Sequence, residues 1–95
     1  MINIKNPQVK SQVIQRLARI EGQLRGVQKM IAEDRDCKEV VQQLVAIRSG
    51  VQSASLSFVQ NIANECLLNP EHQNNSEEQR ETMADLIKLI GKLSG

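Results

Sequence analysis

Ninety-five residues make one small domain at most, and with Phe58 the only aromatic residue the core must come from Leu, Ile, Val, Ala and Met. Two cysteines with no secretory signal argue against a disulfide scaffold, no apolar run approaches the length of a membrane span, and the chain reads as cytoplasmic. The formal net charge of +1 hides a segregation: six basic residues face only Glu21 between Met1 and Ala32, whereas six acids face only Arg80 between Glu65 and Asp85. One end therefore suits a polyanion, and ordinary solvated surface is the competing explanation.

Asn6-Pro7 is a helix start, Asn as cap and Pro at the first helical position. Apolar residues then recur at helical spacing at Val13, Leu17, Ile20, Leu24, Val27 and Ile31, flanked by Ile14 and Met30, which predicts a helix over about 7–33. Gly22 and Gly26 interrupt it at about 1 kcal/mol each relative to Ala, a cost that close packing is expected to offset. The charged run Glu33-Asp34-Arg35-Asp36 makes a turn. Asp36 with Glu39 three residues on resembles a capping box, so a second helix is expected from Cys37 to Leu68, ended by Asn69-Pro70. Its apolar positions, from Val40 to Cys66, cover a wide arc, as befits a central helix. Glu71 to Asn75 reads as polar linker, and Ser76, followed by Gln79, caps a third helix to residue 93 through Met83, Leu86, Ile87, Ile90 and Leu93. The expected fold is all-α, a single three-helix domain over 1–95 that is too poor in aromatic residues to stand alone and completes its burial in an oligomer.

Cys37 and Cys66 lie near opposite ends of the second helix, roughly 44 Å apart at about 1.5 Å per residue. They cannot meet within one straight helix. They can meet if two copies pack antiparallel about a two-fold axis, an arrangement that makes two such pairs at one interface. The alternative is that both are small buried apolar residues. Zinc or nickel would need three or four ligands, and His72, in the polar linker, is the single histidine. Ile62, four residues before Cys66 on the same helical face, offers no donor. The site has sulfur and little else, which suits Cu(I) or no metal at all.

The run Arg16-Leu17-Ala18-Arg19-Ile20-Glu21-Gly22-Gln23-Leu24-Arg25-Gly26, together with Cys37 after an acidic turn and Cys66 deep in the second helix, resembles the CsoR/RcnR family of bacterial repressors from about Val9 to Leu93. The resemblance implies an antiparallel four-helix-bundle dimer, two dimers forming a tetramer, and repression relieved when an inducer binds. Copper-sensing members of the family place a histidine four residues before the second cysteine and tend to carry Tyr before the first; here Ile62 and Asp36 stand there. Nickel and cobalt sensors have an N-terminal histidine, and formaldehyde sensors a proline at position two, where this chain has Ile2. The pattern is most similar to the CstR-type, persulfide-sensing branch, which implies that two cysteines react with a sulfane-sulfur donor and that no cofactor is required and no metal expected; Cys37, at the start of a helix, is the expected attacking thiol and Cys66 the resolving one. A Cu(I) sensor using Cys37 and Cys66 is the alternative, and a helical adaptor that binds a protein partner is the different-class one. An enzyme is not expected.

The family carries no helix-turn-helix. Arg16 and Arg19 match its motif arginines and are expected to contact operator DNA, with Lys10, Arg25 and Arg48 added by charge. Intersubunit salt bridges are the competing role for each of these five.

Overall fold

Helix α1 (Pro7–Ala32) begins where its cap dictates. Asn6 keeps an extended backbone, and its Oδ1 accepts from the amides of Gln8 at 2.9 Å and Val9 at 3.4 Å, while Pro7 occupies a position whose N–H would have had no partner. The helix closes one residue short of the expected end, because Glu33 is the cap and Asp34 turns left-handed at φ 56°. The Asp34 amide donates to the Ile31 carbonyl and the Arg35 amide to the Met30 carbonyl, at 3.1 and 2.9 Å. This is the paired closure that usually recruits glycine, made here by a residue that tolerates the left-handed region.

Helix α2 (Cys37–Leu68) follows, its first turn closed by the Val40 amide on the Asp36 carbonyl at 3.1 Å. The Glu39 carboxylate does not act as the expected reciprocal cap; it takes the Arg35 guanidinium at 3.0 Å. Helix α3 spans Ser76–Leu93. The computed structural model describes residues 3–68 and 76–93, and the side chains of residues 66–68 and 76 also fall outside the description. The Asn69-Pro70 stop, the polar linker with His72 and the Ser76 cap therefore lie beyond it. No strand occurs among the described residues, and the all-α, three-helix class expected from the sequence is the one found.

The register of α1 on α2 is antiparallel. Lys5 and Asn6 meet Glu65, Arg16 meets Ser53, and Ile20 passes over Gly50, where an added Cβ would stand 4.0 Å from Ile20 Cγ1. Helix α3 runs back along the second half of α2: Leu86 packs at Ile62, and Gln52 Nε2 donates to the Leu93 carbonyl at 3.0 Å. The result is a slab of 56 × 29 × 15 Å with a radius of gyration of 17.2 Å. A compact globule of this length would have about 12 Å.

A single layer of helices has no interior. Among the described residues the buried apolar side chains are few (Ile4, Val27, Ile47, Ala54 and Ile62), and Ile4, ahead of α1, packs on Ile62 of α2. The α1 stripe accordingly divides: Val27 is buried and Val13 and Ile20 half-buried, but Ile14, Leu17, Leu24 and Ile31 remain exposed. On α2, Val41, Leu44, Val45 and Val51 are exposed as well. Gly22 and Gly26 depart from the expectation of close packing, since a Cβ at either would meet nothing within 4 Å; within one chain their helix cost is not offset.

Candidate functional site

Cys37 opens α2 as a free, exposed thiol at one end of an apolar surface formed with Val41 and Val45. Helical register relates it to Cys66. Twenty-nine residues at about 100° each return to within about 20° of the starting direction, so the two cysteines hold positions on one face of α2, at its two ends. Val41 and Leu44 share that face and are exposed. One protomer does not bring the two thiols together, because the straight helix keeps them roughly 44 Å apart.

One turn before Cys66 the surroundings are apolar and closed. Ile62, on the same face, is 8% exposed and packs against Ile4, itself 6% exposed, with Val9 and Leu86 at the edges. No nitrogen or oxygen donor comes from residue 62. Among the described residues no group of three or more His, Cys, Asp or Glu side chains is gathered as a metal cage would require. Among the described residues the thiol of Cys37 is the soft donor of this face, and thiolates select soft ions such as Cu(I).

The five basic residues proposed for DNA are all exposed, but they do not form one surface. Register places Arg16 and Arg19 on one flank of the α1 stripe and Lys10 and Arg25 on the other, alongside the exposed Ile14 and Leu17. Arg16 is the most constrained: its Nη2 donates to Ser53 Oγ at 3.0 Å, which fixes the guanidinium across the α1–α2 seam. Arg48 falls on the thiol face of α2, between Leu44 and Val51, both exposed. That position borders an apolar surface rather than the Arg16 flank.

Sequence reasoning missed three residues. Ser53 is a small polar group within an apolar helix and carries no signal of its own. Glu65 is an acid at the end of the α2 stripe, beside Cys66, and could have drawn attention on that ground. Ile4 precedes the first helix and belongs to no periodic pattern, so nothing local points to its burial.

The profile of a family described as "Metal-sensitive transcriptional repressor" matches residues 9–92. The copper-sensing transcriptional repressor CsoR of Bacillus subtilis is 30% identical over 91 residues, covering 96% of this chain and 90% of the relative. The copper-sensing transcriptional repressor RicR of Mycobacterium tuberculosis is 37% identical over 60 residues, 63% of this chain and 62% of the relative. Among solved structures, the copper-sensing repressor CsoR with Cu(I) from Geobacillus thermodenitrificans superposes with a TM-score of 0.77 at 26% identity, covering 98% of this chain and 94% of that one. These likenesses correct the expectation that no cofactor is required and no metal expected: the relatives are named for copper, and the solved structure carries it. The physical reason is donor chemistry: thiolate sulfur is the soft kind of ligand that Cu(I) prefers, so the lack of a histidine at position 62 is no argument against the metal.

Proposed function

Because the chain belongs to the metal-sensitive transcriptional repressor family, we propose that it is a Cu(I)-responsive repressor in which Cys37 of one protomer and Cys66 of another take the metal together. What supports this reading is register: Cys37 and Cys66 hold positions on one face of α2, at its two ends, and Val41 and Leu44 on the same face are exposed. Antiparallel apposition of two such faces about a two-fold axis buries the apolar side chains and sets each Cys37 beside a Cys66. The copper-sensing relatives support Cu(I) as the inducer. Two dimers forming a tetramer would then give operator DNA a basic surface wider than one slab offers. Cys37 and Cys66 from two protomers would hold the metal, which would supply a tie between subunits that neither thiol makes alone. The chain's own part is to present two soft donors from a rigid helix and to convert that link into a changed subunit geometry.

Arg16 and Arg19 are the residues we assign to operator phosphates. They share one flank, and Ser53 preorganises the first of them. Arg16→Ala or Arg19→Ala should weaken operator binding about tenfold without changing the assembly, and each should reduce the steepness of the salt dependence by about one released counterion for the phosphate it no longer neutralises. Fluorescence anisotropy with operator DNA at several salt concentrations reads both. Unchanged affinity in both variants would place the footprint elsewhere, with Lys10, Arg25 and Arg48 the remaining candidates.

A second reading is favoured by Ile62, buried against Ile4 one turn before Cys66, which contributes no donor to a metal. In it a sulfane-sulfur donor is the inducer: a thiolate displaces a thiolate from the donor to form a persulfide, and the second cysteine displaces hydrosulfide to close an intersubunit disulfide. Parallel anaerobic titrations of the operator complex decide between the two. Stoichiometric Cu(I) should release the DNA. Release by polysulfide alone, with a reductant-sensitive Cys37–Cys66 crosslink on non-reducing gels, would replace copper with sulfane sulfur.

A further inference from the structure

Between Glu39 and Glu65 the helix α2 carries one charged residue, Arg48. It stands on the exposed apolar face: register puts Val41, Leu44, Arg48, Val51, Ser55 and Val59 all within about 40° of the direction of Cys37. Arg48 makes no hydrogen bond or ion pair among the described residues. A cation so placed is stable in water. Once the face is covered it needs oxygens, because a desolvated guanidinium without acceptors destabilises by more than the apolar burial around it stabilises. The same stretch of α2 supplies them. The Ser55 hydroxyl donates to the Val51 carbonyl at 2.9 Å, so its proton is engaged and its lone pairs remain. Gln52 commits its amide nitrogen to the Leu93 carbonyl at 3.0 Å, which leaves its oxygen as an acceptor one turn from Arg48.

We propose that Arg48 is an intersubunit residue: it reaches Ser55 of the partner subunit, and the symmetric pair of such contacts fixes the register in which two copies of α2 lie together. This rests on the antiparallel pairing of the proposed function. A two-fold axis that sets Cys37 beside the partner's Cys66 crosses α2 between Val51 and Gln52, and the same operation carries Leu44 onto the partner's Val59 and Arg48 onto the partner's Ser55. The shape of the face agrees. Val41, Leu44 and Val45 form an exposed ridge on one side of the axis. On the other side Val51, Ser55 and Phe58, with Leu17 of α1 and Leu89 of α3, line an apolar groove of about 530 Å³. One two-fold operation seats each ridge in the other copy's groove. Apolar contacts alone tolerate sliding along such a seam. A slip of four residues sets Arg48 on the partner's Val51 or the partner's Val59, neither of which offers a side-chain acceptor, so the polar pair holds the register as a lone polar residue does in a helical seam.

Sedimentation velocity of the full chain over a dilution series tests the pair by exchanging its charges. Ser55→Lys brings two cations together at each contact and should raise the concentration at which the assembly half-dissociates about tenfold or more. Adding Arg48→Asp to that chain reverses the pair and should restore assembly to within about threefold of the wild type. Positions 48 and 55 stand roughly 10 Å apart along one helix, so the rescue has to come from the partner. Ser55→Asp changes little in volume and covers the case of a misfolded lysine variant: it should tighten the assembly at low salt and lose that gain as salt rises. Oxidation of the wild type reports the pairing separately. A mild thiol oxidant, followed by peptide mass spectrometry, should yield a Cys37–Cys66 disulfide between subunits. With that crosslink formed, a double variant as dissociated as Ser55→Lys, or a Ser55→Asp protein indifferent to salt, would overturn the role of Arg48 and leave the pairing standing. With no crosslink and no rescue, the antiparallel pairing itself falls, and the proposal with it.

Discussion

Cys37→Ser and Cys66→Ser should each abolish Cu(I)-driven release of operator DNA while leaving operator affinity without inducer within about twofold. The expectation follows from the number of donors. A site of two sulfurs has none to spare, so losing either leaves a single ligand, which cannot tie two subunits together. Allosteric coupling in such systems amounts to roughly 5- to 150-fold in affinity, and here the whole of it should vanish with either residue. Neither thiol shares the flank of α1 that carries Arg16 and Arg19, so DNA binding itself should persist. Anisotropy titrations of operator with and without one equivalent of Cu(I) per protomer give both quantities. A response in Cys66→Ser more than a third as large as in the wild type would mean that another group completes the site, and the two-thiolate arrangement would fail.

What was legible beforehand was local. Asn6-Pro7 marked a start because a capping oxygen and a residue lacking N–H are each suited to one helical position, and Asn6 makes the expected bonds. The wide apolar arc of α2 pointed to a central helix, and both α1 and α3 do lie against it. The positions of Cys37 and Cys66 could be counted along a helix. Other features depended on residues far apart in sequence. The pairing of Glu65 with Lys5 and Asn6 spans about sixty residues, and no periodicity records it. Nor does composition say which half of an apolar stripe a chain buries within itself. Leu17 and Leu24 look the same in sequence as Val13 and Ile20, yet the former pair stays exposed and the latter is half-buried. The sensing chemistry was the least legible, because Ile62 removes a histidine without saying whether the remaining sulfurs hold a metal. The copper-sensing relatives weigh toward the metal.

The exposed half of those stripes leads to the second large effect. Val45 is 59% exposed, beside Val41 and Leu44 on α2. If the chain were a stable monomer, Val45→Glu would replace one solvated side chain by another and shift stability by no more than about 0.5 kcal/mol. If two copies bury this surface about a two-fold axis, the same substitution brings two carboxylates into one desolvated apolar seam, at a cost of several kcal/mol. Neither slab has an interior large enough to absorb the loss, since it is only 15 Å thick. Val45→Glu should therefore dissociate the assembly at micromolar concentration and largely unfold the protomers, with helical circular dichroism falling in parallel. The wild type should sediment as a tetramer, with no folded monomer on dilution to the same range. By contrast Gly22→Ala should leave the assembly intact, because Gly22 lies on the side of α1 opposite its apolar stripe. Sedimentation velocity with urea denaturation of the three proteins separates the cases. A Val45→Glu protein that remains folded and sediments like the wild type would show that this apolar face is not the interface, and Cys37 and Cys66 would then have no route to each other.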